Sequence, residues 1–307
     1  MTKIVESIPL KTWVNANKVN SRVSSSKLLA YIAANEKEGI IAAPAPAPVP
    51  TPTPLPTPVP VPVPVPTPSG DNPSGIAGNF TLTFKDDFDT LNTSVWNTNW
   101  LGAPGKVTKP INSAEIAAYD PANVTVEGSM LILSAKAGPV VASDGKTYQY
   151  SSGMVESAKS SSKAGLELTP GVIVEAKIKS DGNGPILYNW PAFWMNGHHN
   201  SWPDRGENDI YENLSDGPAY HYHAPSVNVG KDIKKADYSG WHTYACEWLT
   251  DRIDYYYDGQ LVGSVTSGVL SFPNYLVLNL GLSPQHGGPV TAPAKMFVDY
   301  VKVWKRV

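Results

Sequence analysis

The sequence predicts an all-β protein, a β-sandwich, on three observations. From about residue 71 onward, short alternating apolar and polar segments are broken by Gly, Pro, Asn and Asp, which is the period-two pattern of half-buried strands. Asp258-Gly259 joins two of these segments, and that dipeptide tolerates the positive φ angles of a type I′ hairpin. No comparable helical period runs through this region, and more than ten strands without helices imply two packed antiparallel sheets. An apolar content of 41%, with nine Trp and fifteen Tyr, is ample for the core.

Residues 1–43 hold one candidate helix, from a Ser26 cap through Lys27 to about Lys37, closed by Gly39. One helix cannot make a core, so the segment is read as an anchoring or docking helix that orders on a partner, with a disordered tail as the alternative. Residues 44–70 form a Pro-rich linker in which thirteen of the 29 prolines occupy every second position from Pro44 to Pro68. Such a run stays near polyproline II and spans roughly 75–80 Å at ~3.1 Å per residue, a semi-rigid spacer; a ligand for a proline-recognition domain is the alternative. Residues 71–307 are the expected β domain. Their candidate strands cover residues 80–84, 123–126, 130–135, 172–179, 220–229, 241–248, 252–257, 260–265, 275–280 and 295–304. The acidic segment 206–212 reads as a further strand.

Charge divides unevenly along the chain. Residues 1–43 carry six Lys/Arg against three Asp/Glu, leaving 18 against 24 for the remainder. An acidic body disfavours nucleic acid, which needs clustered Lys/Arg, and a neutral or weakly charged polymer fits better. Cys246 is the single cysteine, so no intrachain disulfide forms. No segment approaches the ~18 apolar residues of a membrane span, and no signal peptide is recognisable near Met1. The expected location is extracellular, or attached to a particle or cell surface, reached by another export route.

The segment Gly206-Glu207-Asn208-Asp209-Ile210-Tyr211-Glu212 sets three carboxylates within six residues. On a regular strand Glu207 and Asp209 share a face, Tyr211 follows them, and Glu212 points away. A β-bulge between Asp209 and Glu212 would return Glu212 to the common face. Glycoside hydrolysis needs two carboxyl groups flanking the scissile bond, and Glu207 and Glu212 supply such a pair. Three acids packed together repel and should retain a proton near neutral pH, as an acid catalyst requires; Asp209 would orient its neighbour and tune both. A solvated acidic face or a calcium site is the bland alternative. Trp190, Trp194 and Trp202 stand just before this strand, and flat aromatic faces stack on the apolar faces of sugar rings. Each alone could equally be core, as Phe193 is expected to be.

The Glu-x-Asp-x-x-Glu strand, preceded by Trp190-Pro-Ala-Phe-Trp-Met and Trp202-Pro-Asp-Arg-Gly, resembles the signature of glycoside hydrolase family 16, the laminarinase-like endoglycanases. The likeness continues through Lys85-Asp-Asp-Phe-Asp, Asn112-Ser-Ala-Glu115 with Tyr119, Trp241-His-Thr-Tyr-Ala-Cys-Glu-Trp248 and Met296-Phe-Val-Asp-Tyr-Val-Lys-Val-Trp304. The resemblance implies a concanavalin A-like jelly roll with an open cleft, and hydrolysis of internal β-linkages with retention. It implies Glu207 as nucleophile, Asp209 as its assisting acid and Glu212 as acid/base, with carboxyl groups ~5–5.5 Å apart. The six-residue motif is similar to that of laminarinases and agarases; lichenase-type members have one residue fewer. Asn112, Glu115 and one of His221 and His223, with His223 favoured, match positions around the substrate, and Asn279 is a weaker candidate. Asn208 departs from the family, which has an apolar residue there; it would face the inter-sheet core, where an amide needs partners.

Catalysis is expected to need no cofactor, and a zinc site from His198, His199, His221 and His223 lacks a recurring ligand spacing. Asp299 shares its strand face with apolar Phe297, Val301 and Val303, which predicts a buried charge. The resemblance suggests a structural calcium there, completed by a carbonyl near Gly128, with a salt bridge as the alternative. The leading functional reading is an endo-acting hydrolase of a β-1,3-glucan or a related β-glucan or galactan, whose specificity lies in loops 182–189, 196–205 and 282–293. The rivals are a non-catalytic carbohydrate-binding sandwich and a particle-attached polysaccharide depolymerase.

Overall fold

Strand-length alternation resolves into two large sheets around a shared core. The computed structural model describes residues 72–160, 163–197, 202–233 and 238–307; the candidate helix and the Pro-rich linker lie outside the described residues, as do His198 and His199. In chain order the strands are β1 (Phe80–Asp86), β2 (Ala117–Tyr119), β3 (Val124–Val126), β4 (Leu131–Val141), β5 (Thr147–Ser152), β6 (Met154–Glu156), β7 (Glu167–Leu168), β8 (Val172–Ser180), β9 (Gly182–Asn183) and β10 (Ile186–Leu187). They continue as β11 (Trp190–Gly197), β12 (Glu207–Leu214), β13 (Gly217–Ala224), β14 (Val227–Asp232), β15 (His242–Trp248), β16 (Ile253–Tyr257), β17 (Gln260–Val265), β18 (Asn274–Gly281) and β19 (Ala294–Arg306).

One sheet has ten strands, ordered β17-β16-β15-β8-β19-β4-β5-β2, with β1 on β19 and β3 on β4. The other has seven, ordered β14-β13-β12-β11-β18-β6, with β7 on β18; β9 and β10 form a separate ribbon. The two-residue period decides what each face of the second sheet does. On β11 and β18, Phe193, Met195, Leu276, Leu278 and Leu280 enter the inter-sheet core with Val174, Ala176, Val301 and Val303 of the first sheet. Their neighbours Ala192, Trp194, Tyr275 and Val277 pack on the opposite face with Tyr119 and Met154. All eight residues of β18 are therefore buried, as a strand covered on both sides must be.

The expected hairpin is present: Asp258 and Gly259 adopt φ of 48° and 71°, and Tyr257 pairs with Gln260. Gly75 lets the entering chain pack against this turn, because a Cβ on it would meet the Gly259 carbonyl oxygen at 2.2 Å. Two expectations are corrected. The single strand expected over 220–229 is two, since Pro225 has no N–H to donate and the chain turns there between β13 and β14. Asp299 is not a buried charge. The pairing of β19 with β8 slips between Val298 and Tyr300, the Asp299 side chain is 37% exposed, and it sits 2.8 Å from Lys177 Nζ. The salt-bridge alternative at Asp299 is present, and a carboxylate paired with an ammonium is a poor start for the six to eight oxygens of the calcium shell expected with Gly128. Among the described residues no helix is long and apolar enough to cross a membrane.

Asn208 finds its partners across the sandwich. Its side chain is 1% exposed, accepts the Tyr255 hydroxyl of β16 at 2.7 Å and donates to Cys246 Sγ of β15 at 3.6 Å. The amide thus ties the acidic strand to the opposite sheet. Asn208→Ala removes the nearer acceptor of the Tyr255 hydroxyl and leaves it only the His221 carbonyl oxygen at 3.3 Å, and is expected to lower the unfolding free energy by about 1 kcal/mol in urea titrations. Unchanged stability would show that the tie contributes nothing.

Candidate active site

The acidic strand supplies the site through one irregularity. Against β13, Asp209 pairs with His221 and Glu212 with Ala219, so two residues of β12 oppose one. This is the expected bulge. Ile210 and Tyr211 both enter the inter-sheet core, and Glu207, Asp209 and Glu212 all line a cleft of about 760 Å³ on the other face. Tyr211, which plain alternation puts beside the acids, is fully buried against Tyr244 instead, with ring centroids 4.0 Å apart. The strand is entered through Gly206 at φ 82°, a left-handed conformation that glycine adopts without strain.

Crowding three carboxyl groups against a packed sheet displaces their titration. Burial first, then the charges of Asp209 and Glu212, push Glu207 up to about 8, while His223 and a hydrogen bond from Trp202 pull the other way. Burial and the Glu212 charge raise Asp209 well above the usual carboxylate range. Two histidines from β13 answer these charges: His221 Nδ1 lies 2.5 Å from Glu212 Oε1, and His223 Nε2 lies 3.4 Å from Asp209 Oδ2. The Glu212 contact is the largest influence raising the His221 pKa, against the cost of burial. Both candidate histidines therefore reach the acids. His221 fits because β14 carries Gly230 opposite it, where a Cβ would meet the imidazole at 1.8 Å.

The remaining sequence candidates also line this cleft. Trp190 Nε1 donates to Glu212 Oε2 at 2.9 Å. Trp202 is 60% exposed, its ring 5.4 Å from that of His223, an open platform at the mouth. Trp194 is 6% exposed and locked from below: its Nε1 donates to Asn279 Oδ1 at 2.7 Å, Asn279 Nδ2 donates to the Tyr119 hydroxyl at 3.0 Å, and that hydroxyl donates to Glu115 at 2.7 Å. Glu115 thus anchors the line that positions an indole; burial raises its pKa to about 7. Asn112 sits exposed on the rim, with Oδ1 accepting the Ala114 N–H. The sequence reading missed Trp100, which stacks on Trp194 at 5.7 Å, and His286, 4.9 Å from Trp190. Neither carries a local spacing signal. Among the described residues, ligand atoms close enough for a metal, within 4.8 Å, come from Glu207, Asp209 and His223, which are part of this same cleft.

Glu207 and Glu115 both titrate above their ordinary value of 4.5, at about 8 and about 7. The folded protein therefore holds protons that the unfolded chain releases, and this share of stability is full below about pH 4.5 and lost as pH rises toward 8. Glu207→Gln, which stays neutral, is expected to lose less stability than the wild type between pH 5 and pH 8 in urea unfolding. Equal losses would show that Glu207 is not charged at that cost.

A model of glycosyl hydrolases family 16 matches residues 116–302. An endo-1,3-1,4-beta-glycanase of Rhizobium meliloti (strain 1021) is 27% identical over 251 residues, covering 73% of this chain and 51% of that protein. A beta-glucanase of Rhodothermus marinus is 25% identical over 273 residues, covering 78% of this chain and 90% of the relative. The chain spans about half the length of the Rhizobium relative it matches. In three dimensions it is similar to an endo-beta-1,3-glucanase from Pyrococcus furiosus, with TM-score 0.62, 25% identity and coverage of 77% of this chain and 99% of the other. The laminarinase catalytic domain of Thermotoga maritima gives TM-score 0.61 at 25% identity, covering 75% of this chain and 99% of that one. The chain belongs to glycosyl hydrolases family 16.

Proposed function

We propose that the protein is an endo-acting glycoside hydrolase that cleaves internal β-linkages of a β-1,3-glucan, or a related β-glucan, by double displacement. The observation that carries this reading is the triple carboxylate face of β12 set in an open, Trp-lined cleft. Supporting it, the similar solved structures bear the names endo-beta-1,3-glucanase and laminarinase. Glu207 acts as nucleophile, Asp209 as its assisting acid and Glu212 as acid/base.

The electrostatics of the cleft bear on how the step begins. Burial and repulsion favour protons at the Glu207 and Asp209 end of the strand. Attack needs Glu207 charged, so the proton that burial and repulsion hold there must leave as substrate engages, while the acid role needs one on Glu212. Positive charge developing at the anomeric carbon favours the Glu207 carboxylate, while the leaving oxygen draws the proton on Glu212. Asp209 lies between them and His221 contacts Glu212, so both are placed to carry or hold that proton. Glu212 then protonates the leaving oxygen as the Glu207 oxygen bonds to C1, and a water activated by Glu212 releases the sugar with its configuration retained. The chemistry requires no cofactor. The Pro-rich run of 44–70 would tether this unit to whatever residues 1–43 engage, which suits an extracellular or particle-attached enzyme.

Incubation of the full chain with laminarin and lichenan should release oligosaccharides whose first-formed reducing ends, read by proton NMR, keep the β configuration. Glu207→Gln should lower kcat by roughly 10³-fold or more, since the covalent route is removed. Full activity in that variant would refute the nucleophile assignment, inversion would refute double displacement, and no release from any β-glucan or galactan would refute the enzyme.

A further inference from the structure

Beside the acidic cleft lies a second cavity of about 750 Å³. The two share Trp100, Asn196 and Trp202 in their linings, so they adjoin along these side chains. Their chemistry is opposite in sign. The second cavity is lined by Lys159, Lys163 and Arg205, against Glu156 as its carboxylate. Glu156 is 2% exposed and both of its oxygens are occupied, by Asn97 Nδ2 at 2.8 Å and by the Ala158 N–H at 2.6 Å. Lys159 makes a loose pair with Glu167 at 3.5 Å, and the Arg205 guanidinium lies over the Phe272 ring at 4.3 Å. Lys163 Nζ is buried and has no hydrogen-bond partner among the described residues. Burial lowers the Lys163 pKa, and the nearby Glu156 charge offsets part of that effect.

Lys163 is part-buried at the cavity wall, and its ammonium carries three donors whose cost while unmade a ligand acceptor would recover. This cationic pocket also sits in a body whose residues beyond 43 carry more acid than base, 24 against 18. We infer that the second cavity is a binding subsite for a carboxylate-bearing sugar of the polysaccharide, with Lys163 as the central donor and Arg205 and Lys159 beside it. The inference rests on the glycan-hydrolase reading and narrows it: the preferred polymer is a β-glucan with acidic substituents, where sequence charge alone pointed to a neutral one.

The test compares laminarin with laminarin sparsely oxidised at C6 to carboxylate. Binding is measured by calorimetry on the full chain carrying Glu207→Gln, which prevents turnover. The oxidised form is expected to bind roughly ten-fold more tightly at low salt, the equivalent of one charge-assisted hydrogen bond, and the ratio should shrink as NaCl is raised. Adding Lys163→Met should bring the ratio toward one, and Lys163→Arg should restore most of it. Equal affinities in the Glu207→Gln chain, or a ratio indifferent to Lys163→Met, would overturn the subsite. Binding that discriminates without hydrolysis of either polymer by the wild-type chain would uphold the subsite and sink the enzyme reading. Failure to bind either polymer would sink both.

Discussion

Three carboxylates share one face of β12 because the strand carries an extra residue between Asp209 and Glu212, and that bulge also sends Ile210 and Tyr211 together into the inter-sheet core. The two consequences are inseparable. Burying two adjacent apolar side chains anchors the irregular stretch, and the anchoring holds Glu212 on the cleft side, where side-chain alternation alone would not place it. Repulsion among the acids opposes this arrangement, and the cluster answers by keeping protons and by recruiting His221 and His223 from the adjoining strand.

Polar ties on both sides of the sheet keep the arrangement rigid. Toward the opposite sheet, Asn208 engages Tyr255 and Cys246, so an amide in an apolar layer is satisfied rather than costly. On the cleft side, the line from Glu115 through Tyr119 and Asn279 to Trp194 orients an indole that would otherwise have freedom to tilt, and Trp100 stacks on it. Trp202, by contrast, is left open at the mouth. A cleft with fixed floor and exposed rim can hold a long neutral backbone by stacking, while charge on its substituents is read next door, at Lys163 and Arg205.

Much of the acidic site was legible in linear order, since Glu207, Asp209, Glu212 and the three tryptophans lie within 23 residues and the spacing itself demands a bulge. The strand that precedes it, β11, was not read as one, because Pro191 and the run of aromatics obscure the alternation that Phe193, Trp194 and Met195 obey. Asp299 was misread for a related reason: strand periodicity places it among apolar residues, and a slip in register against β8 turns it toward Lys177. Linear order favours His223 over His221, yet both rings reach an acid, because the match depends on which carboxylate each ring meets across the strands. Nothing in linear order marks Lys163, since a lysine in a Ser-rich stretch is ordinarily solvated.

By itself the sequence determined the all-β class, the hairpin at Asp258-Gly259, the acidic strand and the need for its irregularity. These follow from local rules, the period of two and the φ preferences of a few residues, which a linear string displays directly. Tertiary structure alone decided the partners: Asn208 with Tyr255 across the sandwich, Glu115 with Trp194 through two intermediaries, His221 with Glu212, and Lys163 at a cavity wall with no hydrogen-bond partner for its Nζ among the described residues. Those pairings join residues far apart in the chain, and burial, which sets both the carboxyl pKa values and the cost of an unpaired ammonium, comes into being when the sheets close.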